Sequence, residues 1–458
     1  MDPDHAPRCA LVQDIYDTII DLLQDDPVSL ARCALVCRDW TSRAQRRLFS
    51  AVVIRHHKDL PIGRMYPALR KLARVLGETP NLARHVKAVT FSGQPPFSSA
   101  DSAELPICPG LFMPCLNLRS FTFSGLLFVR GFDDVEDIVR ALWRLEELVL
   151  EDIYIAIPEY YRLDSLDERW PRKTLVVCVP WEGSSLKKIT MNGIHGPYLY
   201  VSQVTHELAL VLGISGDLSS LSSLRLLSGP EITEVWLPFL PFVGPNLDCC
   251  AISINDVLGD RFRCNKHRKG FHRPRTEEEL RTLPPPRSRR FLLHPDAACP
   301  GNNTVEFYEA LLPCALLHEL TIQYTGVSAF CRAASAGLPG AAPRISPFFL
   351  EALTSLLSTP ATPFPLLETL GLMLECTIES LADCTPALGE LAHVLACKTR
   401  YPRFARLAVE FKERTSFAPM DDDAQGDEYD AGARARAARA LFRAFVDAGV
   451  AVDVVVRP

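Results

Sequence analysis

Apolar residues recur along this chain with two different periods, and the switch between them marks its main boundary. Near the start, Leu11, Ile15, Ile19, Leu22 and Leu23 fall at helical spacing, which predicts a short helix with one apolar stripe. Asp25-Asp26-Pro27 interrupts that pattern. Aspartate suits a helix cap and proline is tolerated in the first turn, so a second helix is expected to begin here. Leu30, Cys33, Ala34 and Cys37 form its stripe, and Trp40, Ala44, Leu48 and Phe49 carry the pattern into a third helix. Three short helices in roughly forty residues bury too little area to cover all of these faces on one another. Part of that apolar surface needs another home.

Beyond residue 50 the period shortens. Residues 51–54 read as a short strand, and residues 66–77 as a helix with Leu69, Leu72, Ala73 and Leu76 on one face. A hexad of apolar, two others, apolar, one other, apolar then keeps returning. It occurs as Val86-x-x-Val89-x-Phe91, Leu118-x-x-Phe121-x-Phe123, Leu145-x-x-Leu148-x-Leu150 and Leu186-x-x-Ile189-x-Met191. It continues as Leu221-x-x-Leu224-x-Leu226, Ile232-x-x-Val235-x-Leu237 and Leu317-x-x-Leu320-x-Ile322. Leu367-x-x-Leu370-x-Leu372 and Phe404-x-x-Leu407-x-Val409 complete the series. One such hexad fits any half-buried strand, but a series predicts stacked strands that each bury a core only against their neighbours. Helical patterns at 135–145, 305–312, 348–357 and 388–398 lie between copies and are expected to form an outer layer. A final helix at 431–448 and a strand at 450–456 would close the stack's exposed end.

The first forty residues resemble an F-box, the helical module that plugs a substrate receptor into a cullin–RING ubiquitin ligase through the small Skp adaptor. The residues that carry the resemblance are Leu11, Asp14, Ile15, Ile19, Leu22 and Leu30, then Val36-Cys37-Arg38-x-Trp40. Val12 stands where the family usually has proline. The hexads in turn resemble the strand segment of leucine-rich repeats. They depart from it in their irregular spacing, often wider than roughly 20–29 residues, and in lacking the usual following asparagine. Asn192 is the nearest match and comes one place early. The resemblance implies an α/β chain with a short three-helix F-box at 8–50. An irregular leucine-rich-repeat-like solenoid of parallel strands, a horseshoe of the kind found in fungal F-box proteins, would follow at 51–458.

On that reading Leu11, Ile15, Ile19, Leu22, Leu30, Val36, Cys37 and Trp40 form or support the adaptor-binding surface. Strand alternation sends the residues between the buried hexad positions to the opposite face. Glu147, Lys188, Arg225, Trp236, Glu319 and Arg406 would line a substrate face there, with Trp236 as its anchor. The implied partners are the Skp adaptor, through it a cullin–RING ligase, and a protein substrate. The alternative is a repeat scaffold without any ligase, its N-terminal helices serving only as a cap.

Composition narrows the field a little further. A net charge of −6 gives no bulk attraction to nucleic acid, and no apolar run reaches the roughly 18 residues that span a bilayer. Fifteen cysteines, an odd number without any Cys-x-x-Cys pair, read as buried reduced thiols of a cytoplasmic or nuclear protein. Residues 94–109, 154–180, 259–300 and 416–430 do not fit the repeat and are expected to be loops. The third is strongly basic, which raises a nucleus- or RNA-directed reading beside that of a solvated insertion. Cys264, His267 and His272 within it fall short of a tetrahedral zinc set, so no metal or cofactor is expected. Phosphate-loop, nucleophile-elbow and metalloprotease motifs are missing too, and the chain is expected to act as a receptor without catalysis of its own.

Overall fold

The computed structural model describes residues 10–36, 38–55, 65–93, 114–128, 144–155, 186–195, 205, 208–209, 212, 218–227, 236, 239–254, 310–325, 347–359, 363–376, 378–412 and 431–457. Two compact units emerge: Met1–Leu186 with Ile194–Pro197, and Lys187–Gly193 with Tyr198–Pro458. Each is α/β with a parallel sheet.

The first unit opens with the three expected helices, α1 (Ala10–Leu22), α2 (Pro27–Val36) and α3 (Arg38–Leu48). The Asp-Pro signal works as read. Asp26 accepts hydrogen bonds from the Val28 and Ser29 amides at 3.1 and 3.0 Å and from the Ser29 hydroxyl at 2.6 Å, with Pro27 as the first helical residue. Those donors hold the Asp26 carboxyl below its ordinary range. Next come β1 (Ala51–Arg55), α4 (Met65–Glu78), the single turn α5 (Pro80–Ala83), β2 (Ala88–Ser92), β3 (Ser120–Ser124), β4 (Leu127–Phe128) and β5 (Glu147–Ile155). The strands lie in the order β1-β2-β3-β5, all parallel, with Ala51, Ala88, Ser120 and Glu147 in one row; β4 also pairs with β5. Burial alternates along β2, β3 and β5, and the inward rings of Phe91, Phe121 and Phe123 sit with centroids 4.9 to 5.8 Å apart.

The second unit takes most of β6 (Lys188–His195) and continues with β7 (Ser223–Leu227), the turn α6 (Leu240–Val243), β8 (Cys249–Ile254) and β9 (Glu319–Thr325). After these come α7 (Pro347–Leu357), β10 (Thr369–Glu375), α8 (Ile378–Ala382), α9 (Thr385–Ala396) and β11 (Arg406–Lys412). The expected C-terminal helix is two, α10 (Ala431–Leu441) and α11 (Arg443–Asp447), broken at Phe442, whose buried ring lies against Phe411 and Phe445. Strand β12 (Ala451–Arg457) ends the unit, and the strands from β6 to β12 pair in chain order, all parallel. Helices cover the inward side chains: Phe349 of α7 meets Tyr324 of β9 at 4.8 Å, and Leu353, Leu357, Leu388 and Leu391 are all buried.

The hexads account for the registration. The first hexad residue is buried at Val86, Leu118, Leu221, Leu317, Leu367 and Phe404, and its amide usually closes a turn onto a buried residue three places earlier, such as Cys115, Cys314, Phe364 or Tyr401. The carbonyl of the second residue then accepts from two consecutive amides of the next copy. In the first unit Lys87 O takes Arg119 N and Ser120 N, and Arg119 O takes Glu146 N and Glu147 N. In the second, the Lys187, Ser222, Asp248, His318 and Glu368 carbonyls act alike, each on its successor. This forked acceptor repeats from copy to copy and pairs the backbone at the start of each strand.

Of the hexad expected at 232–237 only Trp236 is described, and it does not lie in a strand: its backbone is helical and its ring, fully buried, is tilted against Phe239 with centroids 5.7 Å apart. The strand falls instead on Leu247-x-x-Cys250-x-Ile252, where cysteine replaces the middle leucine and hides the pattern. The buried thiols behave as small apolar groups, with burial pushing Cys115 up to about 11 and Cys314 up to about 12. The cysteines among the described residues are thiols and not disulfides. Of the four expected loops only Tyr154 and Ile155 are described, in β5; the remainder, with the helical patterns at 135–143 and 305–309, lies outside the described residues.

Candidate functional site

Helices α1, α2 and α3 close a small core of their own. Ile20, Leu30, Cys33 and Ala44 are buried at its centre, with Leu23, Ala34, Trp40 and Leu48 packed around them. Trp40 lies over Tyr16 with ring centroids 5.2 Å apart, and the Thr41 hydroxyl donates to the Ala34 carbonyl at 2.8 Å, tying the end of α2 to the start of α3.

A polar clamp fastens α1 to α3. The Asp21 carboxylate accepts from Arg43 Nε at 2.9 Å and Arg47 Nε at 2.8 Å, and the terminal nitrogens of both guanidiniums also reach it. Arg43 and Arg47 are one turn apart, so a single carboxylate engages both forks. Hydrogen bonds from Arg47 and then Arg43 hold the Asp21 carboxyl well below the usual carboxylate range. A depressed folded value adds stability above the unfolded pKa of about 3.9, and that stability is lost as pH falls through the folded value. Asp21→Asn should therefore cost about 1–2 kcal/mol at neutral pH, a figure kept modest because the pair is roughly one-third exposed. The check is amide hydrogen exchange across α1. Exchange should be faster in the variant at pH 7, and the gap should narrow as the solution is taken toward strong acid.

Closing this core leaves a second apolar surface uncovered. Ile15, Ile19 and Leu22 run along one line of α1, with Ile15 52% and Leu22 80% exposed. On α2, Val28, Leu35 and Val36 are exposed as well, Leu35 to 87%. Soluble chains seldom leave so many large aliphatic side chains together in water without a use for them. The expected adaptor residues divide accordingly. Ile15, Ile19, Leu22 and Val36 lie on the uncovered surface; Leu30 is interior and Trp40 half-buried, so these two support it from beneath. The side chains of Leu11 and Cys37 lie outside the described residues. Sequence reasoning missed Val28 and Leu35, whose seven-residue spacing on α2, away from Leu30 and Cys33, was the available signal.

The expected substrate face is less uniform. Glu147 of β5 accepts from the Ser120 hydroxyl of β3 at 2.9 Å. Arg225 of β7 reaches past Cys249, 3.6 Å from its sulfur, to Glu319 of β9 at 3.2 Å. Arg406 of β11 donates to Asp453 of β12 at 2.6 Å. Glu147, Lys188, Arg225 and Glu319 are half-buried and Arg406 exposed, all on the side of their strands opposite the buried hexad residues. Side-chain pairs of this kind across strands supply modest sheet stability and lower the net charge a partner meets. Trp236 has no place on this face: it is fully buried, its ring tilted against Phe239.

Among the described residues no group of three or more His, Cys, Asp or Glu side chains could hold a metal ion; Cys264, His267 and His272 lie outside them. No described helix is long and apolar enough to cross a membrane. No family model matches the chain, and no curated protein matches its sequence.

Proposed function

We propose that this chain is the substrate-recognition subunit of an SCF-type ubiquitin ligase, with an F-box formed by α1 to α3 and leucine-rich-repeat-like stacking in the strands that follow. The observation that carries this reading is the uncovered aliphatic surface on α1 and α2. A helical cap serving only the stack would bury that stripe on its own chain, whereas a docking module keeps it for a partner's groove. Here the module's interior is complete without Ile15, Ile19, Leu22, Leu35 and Val36, so these side chains are free to anchor the Skp adaptor. Transfer chemistry would reside in other subunits. This chain would hold a target protein near them, which makes the transfer effectively intramolecular. The open strand faces, with Glu147 in the first unit and Lys188, Arg225, Glu319 and Arg406 in the second, are the surfaces we assign to that target.

The test is reconstitution of purified full-length chain with purified Skp adaptor. A one-to-one complex by size-exclusion chromatography with light scattering is expected, surviving moderate salt because its anchors are apolar. A folded chain that stays monomeric beside the adaptor would overturn the ligase assignment and leave the repeat scaffold as the better account.

A further inference from the structure

Helix α3 carries four arginines, and the fold spends them in two directions. Arg43 and Arg47 close on Asp21, as described above. Arg38, by contrast, lines a groove of about 500 Å³ between α3 and the turn around α5, whose walls also carry Arg84 and His85. Ser42, Gln45 and Asn81 supply neutral hydrogen-bonding groups along the same walls, and no carboxylate lines them. Burial of the ring, and after it the charge of nearby Arg46, pushes the His85 imidazole pKa down. The groove is therefore a concentration of positive charge whose counter-charge is missing from its walls. Its backbone is fixed: the Asn117 side-chain amide donates to the Arg84 carbonyl at 2.7 Å, and the Arg84 and His85 amides close turns onto Pro80 and Leu82.

We propose that this groove binds an oxyanion of the phosphate class. Guanidinium forks match the paired oxygens of a phosphate monoester, and two of them converging from different elements would clamp it from two sides. The surrounding hydroxyl and amide groups can satisfy the remaining oxygens. A bound dianion beside the ring would favour the charged imidazole of His85, which burial and then the nearby Arg46 now disfavour.

The experiment is a calorimetric titration of the full chain with inorganic phosphate at constant ionic strength, run beside a phosphoserine peptide and its unphosphorylated twin. Saturable one-to-one binding is expected, at least tenfold weaker in Arg38→Gln and in Arg84→Gln and unchanged in Arg74→Gln, which lies outside the groove. Arg38→Lys keeps the charge but not the fork, and should lose several-fold in affinity with the fold intact by circular dichroism. In parallel, the His85 imidazole followed by NMR should titrate at higher pH once phosphate is bound. Tighter binding of the phosphopeptide than of free phosphate would make a phosphorylated side chain the natural ligand; equal binding would point to free phosphate. Heat that does not saturate, that chloride reproduces at equal ionic strength, or that survives both arginine substitutions would overturn the proposal.

Discussion

Replacing Leu22 and Val36 together by aspartate should weaken adaptor binding by roughly a thousandfold while leaving the chain folded. Anchor residues of an interface cost about 2 kcal/mol or more each when lost, and two of them give about 4 kcal/mol. Aspartate adds the cost of drawing a charge into an apolar groove. Both side chains are mostly in water in the free chain, so the substitutions remove little from its own core. The readout is the dissociation constant from surface plasmon resonance, beside the far-ultraviolet circular dichroism spectrum and the unfolding midpoint. The contrasting variant is Leu30→Asp. Leu30 sits at the centre of the three-helix core, so that change should unfold the module and abolish binding for a structural reason. If Leu22→Asp/Val36→Asp bound the adaptor as wild type does, the aliphatic stripe would not be the docking surface.

The second large effect belongs to the backbone. Gly125→Ala should destabilise the first unit by roughly 4 kcal/mol, near the upper end for a single substitution. Gly125 follows β3 with φ of +64°, a conformation that residues with a Cβ adopt at a cost of about 1–2 kcal/mol. A Cβ there would also lie 2.1 Å from the Gly93 carbonyl oxygen, and that atom belongs to backbone that cannot rotate aside. The Gly93 amide donates a hydrogen bond to the Ser124 carbonyl at 2.8 Å, and the Gly125 amide donates one to the Glu151 carbonyl at 2.9 Å. Relieving the clash means parting β2, β3 and β5 at their C-terminal ends. Denaturant unfolding with hydrogen exchange on residues 88–93 and 147–155 would measure the loss. A change below about 1 kcal/mol would mean that the two turns move apart freely, contrary to the constraint described here.

The parts of this protein that were legible in its sequence are those governed by local rules. The Asp26-Pro27 cap, the three helices, and the strands at Val89–Phe91, Phe121–Phe123, Leu320–Ile322 and Leu370–Leu372 follow from spacing and from residue chemistry close along the chain. The copy expected at 232–237 shows where such rules stop. Ile232-x-x-Val235-x-Leu237 satisfies the hexad on paper, yet Trp236 within it is helical and the strand beside β7 is Leu247-x-x-Cys250-x-Ile252. Trp236 is fully buried with its ring tilted against Phe239, and a cysteine serves well as a small buried apolar group.

The sequence by itself determined the period of each element, the sign of each charge and the surplus of apolar surface in the first forty residues. Only the tertiary structure decided which member of a stripe turns inward. Leu30 and Ile20 became core while Leu22, Leu35 and Val36 stayed in water, because three crossing helices enclose one small volume and whatever lies outside it is left to the solvent. The arginines of α3 divided for the same kind of reason. Their chemistry is identical in the sequence; Arg43 and Arg47 meet Asp21 because α1 crosses there, whereas Arg38 lines a groove shared with Arg84 whose walls carry no carboxylate.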